Sequence, residues 1–365
     1  MRVTGGVTIY RLFDVGYEID LAQVLECLAP SDAARALPVR SEAQALLIPN
    51  PPITVRLGME RVVLLAQELD VAVSARIFDF GVVSLRAHVS APAELPWTAF
   101  VRWALGVDAA PAIPDLLERH VALLTQRTAR AIAKPFLATV REDYTIYRIS
   151  EWQNPASDSE ATALVSDVDL APLLLGETRP LSESARRELL PHRFSYHLDD
   201  LTVVTWDSAL VVDRERNETD VEYIVEFANA QLLELRYYDA ALDAELPQLY
   251  DRIEHARAAR GRLLRRSYSQ VLGAMHTLVA ATTEVVERAE NALKVTDDVY
   301  LARVYSAALD VFRARQWRAG IDRKLAIIRE TYGMLNAESQ AARGEVLEIA
   351  ILALIAIEIV LSLFR

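Results

Sequence analysis

The chain has 365 residues, 52% of them hydrophobic and 25% charged, which exceeds one ordinary domain and excludes a disordered composition. Thirty-nine Lys and Arg against 51 Asp and Glu leave a net charge of −12, which excludes a uniformly basic nucleic-acid coat. Cys27 is the only cysteine, so an internal disulfide, a cysteine zinc cluster and an iron–sulfur site are excluded.

No apolar run follows residues 1–6, so no signal peptide is expected. Residues 7–13 are rich in β-branched and aromatic side chains and read as a strand. Asp20 is placed to cap a helix from Leu21, and Cys27 in that apolar run reads as a buried structural thiol. Asn50-Pro51-Pro52 reads as a turn before a strand over 53–57. Residues 71–80 and 82–89 are β-rich runs around Asp79-Phe80-Gly81, which predicts a hairpin. Helices are expected near 97–105 and 114–140.

Some of this recurs. Thr145-Ile146-Tyr147-Arg148 repeats Thr8-Ile9-Tyr10-Arg11, and Asp169-Leu170-Ala171 repeats Asp20-Leu21-Ala22. Residues 201–206 and 209–212 mirror the earlier hairpin, with Asp207-Ser208 at the turn. The expected fold class is therefore an α+β domain over 1–215. It reads either as two degenerate repeats, 1–140 and 141–215, or as one unit with chance recurrences.

From Asp220 the helical period takes over. Leu264, Tyr268, Val271, Met275, Leu278, Thr282, Val285 and Ala289 step by three and four, as an a/d seam does. Leu301, Tyr305, Ala308 and Phe312 do the same, as do Ile321, Leu325, Ile328, Tyr332 and Leu335. Thr296 or Asp297 is expected to cap the second helix. Pro247 and Gly261 predict kinks in the ascending arm, and Gly320 marks a register slip in the descending one. The pattern predicts a long antiparallel coiled-coil hairpin over 216–345, with its tip near 294–297.

Residues 346–364 hold only three polar residues, Glu348, Glu358 and Ser362. As a helix the run spans about 28 Å, close to the hydrocarbon thickness of a bilayer. It reads as a C-terminal transmembrane anchor over 346–365, with Val346, Leu347, Ile349, Leu352, Ile355, Ile359, Leu363 and Phe364 facing lipid. The alternative is a helix buried in a soluble bundle or oligomer core.

Charge divides along the chain. Residues 1–250 carry 22 Lys and Arg against 37 Asp and Glu, whereas residues 251–330 carry 15 against 10. Arg252, Arg257, Arg260, Arg262, Arg265 and Arg266 form one basic cluster. Arg313, Arg315, Arg318, Arg323, Lys324 and Arg329 form another on the opposing arm. RNA or anionic lipid could bind there, or the clusters could form a solvated face with local salt bridges.

No phosphate-binding loop, dinucleotide fingerprint, zincin motif or nucleophile elbow is present. His192, His197, Asp199 and Asp200 form the one polar constellation with metal-ligand character, although polar residues also belong before a hairpin. No catalytic residue, cofactor or small-molecule substrate is identified.

The runs 299–318, 325–332 and 347–359, with Glu348 and Glu358 embedded, resemble the domain-of-unknown-function 155 proteins, also called the required-for-meiotic-nuclear-division family. Ile77 to Val83 is similar to that family's aromatic strand pair, and Phe227 to Leu233 to its small-residue helix. The resemblance implies a membrane-attached, self-associating protein, some of whose relatives support organellar translation. Without a transit peptide, it points to a bacterial-type member. The expected function is a non-catalytic, homo-oligomeric scaffold, membrane-anchored with its bulk in the cytoplasm. An RNA- or ribosome-associated factor comes second, and an enzyme with a site between the α+β halves is the weakest reading.

Overall fold

A computed structural model describes residues 1–28, 33–35, 50–153, 161, 168–177, 179–189, 192–214, 219–258, 273, 275–277, 279–280, 283 and 298–363. The chain divides into two compact units, Met1–Tyr237 with Ala289–Arg315, and Tyr238–Arg288 with Gln316–Arg365.

The first unit is α+β. Its strands are β1 (Arg2–Asp14), β2 (Gly16–Ile19), β3 (Ala33–Arg35), β4 (Ile53–Leu64), β5 (Gln67–Ile77), β6 (Val82–Ser90), β7 (Leu95–Pro96), β8 (Ile132–Pro135), β9 (Arg141–Gln153), β10 (Arg193–Phe194), β11 (Leu201–Val204) and β12 (Ser208–Val212). Ten of these make one mixed sheet among the described residues. Its order is β10-β11-β12-β9-β1-β6-β5-β4-β3, with β7 also on β1. Among the described residues only the β12–β9 pair is parallel. Strands β2 and β8 form a separate antiparallel pair.

Strict alternation gives the sheet two unlike faces. Val7, Ile9 and Phe13 of β1, Val83, Leu85 and Ala87 of β6, and Tyr147 and Ile149 of β9 point into the main apolar core. Helices α2 (Trp97–Asp108) and α3 (Ala112–Arg127) cover that face with Phe100, Ala104, Val107, Ile113, Leu117 and Val121. Each such large side chain contributes about 1.5–3 kcal/mol when fully buried. The in-between positions, Thr8, Ser84, Arg86, Arg76 and Arg148, are buried on the opposite face and carry polarity or charge.

Local chemistry starts and stops these elements. The Asp20 carboxylate accepts from the amides of Ala22 (2.9 Å) and Gln23 (3.1 Å) and starts α1 (Leu21–Cys27). Cys27 is half-buried rather than buried, 3.5 Å from Arg130. The expected helix over 114–140 ends early. The backbone amide and hydroxyl of Thr128 close its last turn on the Leu124 carbonyl, and the chain turns into β8. Further on lie the short helices α4 (Ala171–Leu175) and α5 (Glu183–Leu189).

The two proposed repeats do not form equivalent halves. Thr8 faces His88 on the charged side, whereas Thr145 bonds Asp108 on the α2 side. The same four-residue string thus lies in opposite phase of the pleat. Moreover, β6 runs antiparallel to β1, while β12 runs parallel to β9.

The coiled-coil hairpin and apolar tail are also corrected. After the sheet come α6 (Asp220–Ala258), α7 (Val299–Val311) and α8 (Ala314–Leu363). Asp298, one residue beyond the expected cap, accepts from Tyr300 (2.7 Å) and Leu301 (3.0 Å) and starts α7. After α7 and its cap Phe312, Arg313 adopts φ +54°, so no continuous arm runs through this segment. The expected seam residues of α7 pack within the first unit. Phe312 meets Tyr144 edge-on at 5.6 Å, and Tyr305 lies 6.1 Å from Phe227. A spacing of three and four marks a buried helix face, and here that face is part of the α+β unit. The expected tip at 294–297 and the seam positions 264, 268, 271, 278, 282, 285 and 289 lie outside the described residues, as does Gly261. Helix α6 runs through Pro247.

The second unit is helical among its described residues. Leu242, Ile253, Met275, Ile321, Leu325 and Ile328 are buried there. Lys324 joins α8 to α6 by reaching Asp239 (2.7 Å) and Asp243 (2.6 Å). A Cβ at Gly320 would sit 3.1 Å from the Asp239 carboxylate, so the small residue permits this approach. Among the described residues no helix is long and apolar enough to cross a membrane. The expected anchor positions 346–363 belong to the end of the 50-residue helix α8, whose earlier turns are highly charged.

Candidate functional site

Two polar constellations stand out in the first unit, one on each face of the sheet. The first is the buried charged layer. Glu222, Glu226 and Asn229 recur at four and three residues on the first turns of α6, which places them on one helical face. Arg148 of β9 donates to Glu222 at 2.9 Å. Glu226 pairs with Arg76 of β5, and Arg86 of β6 lies 3.9 Å from it. Arg76 and Glu226 are each only 2% exposed. Glu222 also accepts the Thr219 amide at 2.7 Å, so the start of α6 is tied to the same carboxylate.

Ions withdrawn from water this far are costly unless matched, and each here has an opposite charge. His88 completes the layer through Thr8 at 3.0 Å. Burial, then the positive Arg148 and Arg86, lower the His88 pKa, so the ring stays neutral at pH 7. Gly5 serves the same region. β9 shifts register beside it, and a Cβ there would fall 1.9 Å from the Arg148 carbonyl.

The second constellation surrounds a cavity of about 270 Å³ on the α2 side, partly open to solvent. Its apolar wall includes Leu105, Leu117, Leu173 and Leu174. Its polar wall comes from β1, the end of α2, β9 and the β11–β12 turn, with Arg11, Asp108, Asp143, Tyr144, Thr145, Tyr147, Asp207 and Ser208, and Arg11 is already paired with Asp143 and Glu118. It therefore takes residues from both segments 1–140 and 141–215. Asp108, the last residue of α2, accepts from Thr145 (2.5 Å) and Tyr147 (3.3 Å). Burial holds its carboxyl above the usual range despite these two bonds, and Asp207 and Asp143 push the same way. Asp143 is itself gripped by Arg11 through two bonds of 2.6 and 2.7 Å. The Tyr144 hydroxyl donates to the Ser208 carbonyl at 2.7 Å and the Thr205 carbonyl at 3.1 Å.

The residues singled out from sequence lie elsewhere. The Asp200 carboxylate accepts the amides of Tyr196 (2.7 Å) and His197 (3.2 Å), so it shapes the turn. Asp199 is 3.9 Å from Arg214, and the His192 carbonyl accepts the Val204 amide. Among the described residues no three His, Cys, Asp or Glu are grouped to hold a metal ion. Of the basic residues, Arg315 pairs with Asp310 (2.8 Å), Arg318 with Asp322 (3.9 Å), Lys324 with two aspartates, and Arg329 bonds Thr283 (3.3 Å). Arg313 stacks 5.8 Å above Trp206, and Arg323 is exposed. Arg252 and Arg257 lie on α6, while Arg260, Arg262, Arg265 and Arg266 are outside the described residues.

Sequence reasoning missed Arg76, Arg86 and Arg148. The available signal was a lone Arg inside each of three otherwise β-rich, apolar runs, opposite a Glu-x-x-x-Glu helix. Asp108 carried no signal, because a helix-terminal Asp is common on solvated surfaces.

A family model described as "Uncharacterized protein MJ0711, N-terminal domain" matches residues 4–219. The chain belongs to this family. The matched span contains every strand of the sheet except the first two residues of β1, and ends as α6 begins. "Uncharacterized protein MJ0711" of Methanocaldococcus jannaschii is 27% identical over 224 residues, or 61% of this chain and 66% of that relative. The chain thus matches just under two thirds of the relative's length. No solved structure matches. The resemblance to the domain-of-unknown-function 155 proteins is not confirmed by these matches.

Proposed function

We propose that this protein is a non-catalytic, self-associating interaction scaffold. One observation carries the reading. Ile351, Leu352, Leu354, Ile355, Ile357 and Ile359 on α8 are 48–66% exposed. At 100° per residue they cover an arc of about 220°, far wider than a two-helix seam. A helix apolar over that arc suits an assembly in which several neighbours surround it.

Copies of the same chain fit this face better than lipid. Glu348 and Glu358 interrupt the apolar run, and a carboxylate deep in hydrocarbon costs about 3 kcal/mol. Charge favours the same partner, since residues 1–250 are acidic and 251–330 basic, and opposite patches on one chain attract between copies. Kinship with the domain-of-unknown-function 155 proteins would agree with self-association. Two of the segments that suggest it, 77–83 and 227–233, meet where Phe78 and Phe80 pack on Phe227 at 5.9 and 6.2 Å.

Sedimentation velocity on the full chain in detergent-free buffer tests the reading. The native chain is expected to sediment as an oligomer, and an Ile355→Asp/Ile359→Asp variant as a smaller species. A monomeric native chain overturns the proposal. Flotation of a monomeric native chain with phospholipid vesicles would assign the face to a membrane surface instead.

A further inference from the structure

The cavity beside Asp108 has a composition that neither self-association nor fold stability explains. Three features of it favour positive charge. Asp108 is part-buried, and its bonds come from two neutral hydroxyls, so among the described residues no Arg or Lys balances it. It lies at the C-terminus of α2, where exposed carbonyls favour cations and disfavour a carboxylate. Leu175 and Gly176, at the C-terminal end of α4, line the same cavity. Asp207 adds a second carboxylate at the exposed turn, and Asp143, though held by Arg11, adds a third.

The apolar wall narrows the choice of cation. Leu105, Leu117 and Leu173 offer nothing to a hydrated metal ion, which would lose water there without gaining ligands. They suit the body of a small organic molecule.

We propose that this cavity binds a small organic ammonium ion, its charged head on Asp108 and its apolar body against Leu105, Leu117 and Leu173. The ammonium supplies the opposite charge that Asp108 lacks and donates to both Asp108 and Asp207. Thr145 and Tyr147 hold the Asp108 carboxylate in place, and act as positioning residues.

The test uses the full chain and calorimetric titration with 2-phenylethylammonium, its neutral analogue 2-phenylethanol, and potassium and magnesium chlorides as inorganic controls. Saturable binding of the ammonium is expected, with affinity at least about tenfold above that of the alcohol. Asp108→Asn keeps the shape and one of the two acceptor oxygens but removes the charge. It is expected to lose ammonium affinity about tenfold or more while its thermal unfolding midpoint stays at or above that of the native chain. Should Asp108→Asn fail to fold, Asp207→Asn on the exposed turn is expected to weaken ammonium binding in the same direction. Absence of ammonium binding at millimolar concentration, equal binding of the alcohol, or undiminished binding by a folded Asp108→Asn would each overturn the proposal. Tighter binding of potassium or magnesium at the same residues would do so as well. None of these results depends on the oligomeric state.

Discussion

Arg148 on the ninth strand donates to Glu222 on the first turn of α6 at 2.9 Å, with their side chains 8% and 3% exposed. The pair joins residues 74 positions apart and fastens the helix to the sheet. Removing one partner of such a pair leaves an uncompensated buried charge and costs about 3–5 kcal/mol. Glu222→Gln is expected to destabilise the protein by that order in urea unfolding. The double variant Arg148→Met/Glu222→Gln is expected to recover part of the loss, because both charges are then gone. A double variant that loses the sum of what Arg148→Met and Glu222→Gln lose singly would show that the pair is not coupled.

Two buried carboxyls make stability depend on pH near neutrality. Burial pushes Asp14 up to about 7, although the Gly16 amide pulls the other way. Burial likewise raises Glu142 to about 7 against the opposing charge of Arg236. Unfolded, such groups titrate near 4. The folded state therefore holds protons that the unfolded state has released between about pH 4 and 7. Their contribution is fully present below about pH 4, is lost as pH rises through the folded values, and levels off above them. Asp14→Asn stays neutral at every pH, so it should gain stability relative to the native chain as pH rises across this window. The slope cannot exceed about 1.4 kcal/mol per pH unit for one group. A difference independent of pH, measured by urea unfolding from pH 4.5 to 8, would contradict this.

Gly81 closes the β5–β6 turn at φ +97°, and a Cβ there would fall 1.8 Å from the Gly16 carbonyl. Two costs therefore add, backbone strain and a steric clash with main chain that cannot rotate away. Gly81→Ala is expected to destabilise by more than about 2 kcal/mol. Gly176, at φ +63°, has open space around its Cβ position and serves as the control. Gly176→Ala pays the conformational cost alone and should lose less.

Asp20 caps α1 with a carboxylate that accepts two backbone amides. These bonds hold its pKa below the usual range, the Gln23 amide contributing most. Asp20→Ala should destabilise the protein at pH 7, because the first-turn amides of the helix lose their acceptor. That difference should shrink at acid pH, where the native carboxylate is protonated and its advantage is lost. Chemical denaturation of both proteins at pH 7 and pH 3 measures it.

Much of the local structure was legible in the residues. The β-rich runs around Asp79-Phe80-Gly81 became a hairpin, and Asp20 became a cap, because turn chemistry and capping act within a few residues. The charged layer was harder to read. A lone Arg in a strand says only that one face is not wholly apolar, and its carboxylate lies 74 to 150 residues away. The cavity was not legible at all, since Asp108, Thr145 and Asp207 come from three separate elements.

What the sequence determined by itself was periodicity: where strands alternate, where helices bury one stripe, and where the chain turns. What the stripe is buried against was settled only by tertiary structure. The seam of α7 lies within the α+β unit rather than along a coiled-coil arm, because a spacing of three and four describes a buried face and not its neighbour. The string Thr-Ile-Tyr-Arg points Thr8 to one face of the sheet and Thr145 to the other. Side-chain direction in a strand depends on phase in the pleat, and phase is set by pairing between strands distant in the chain.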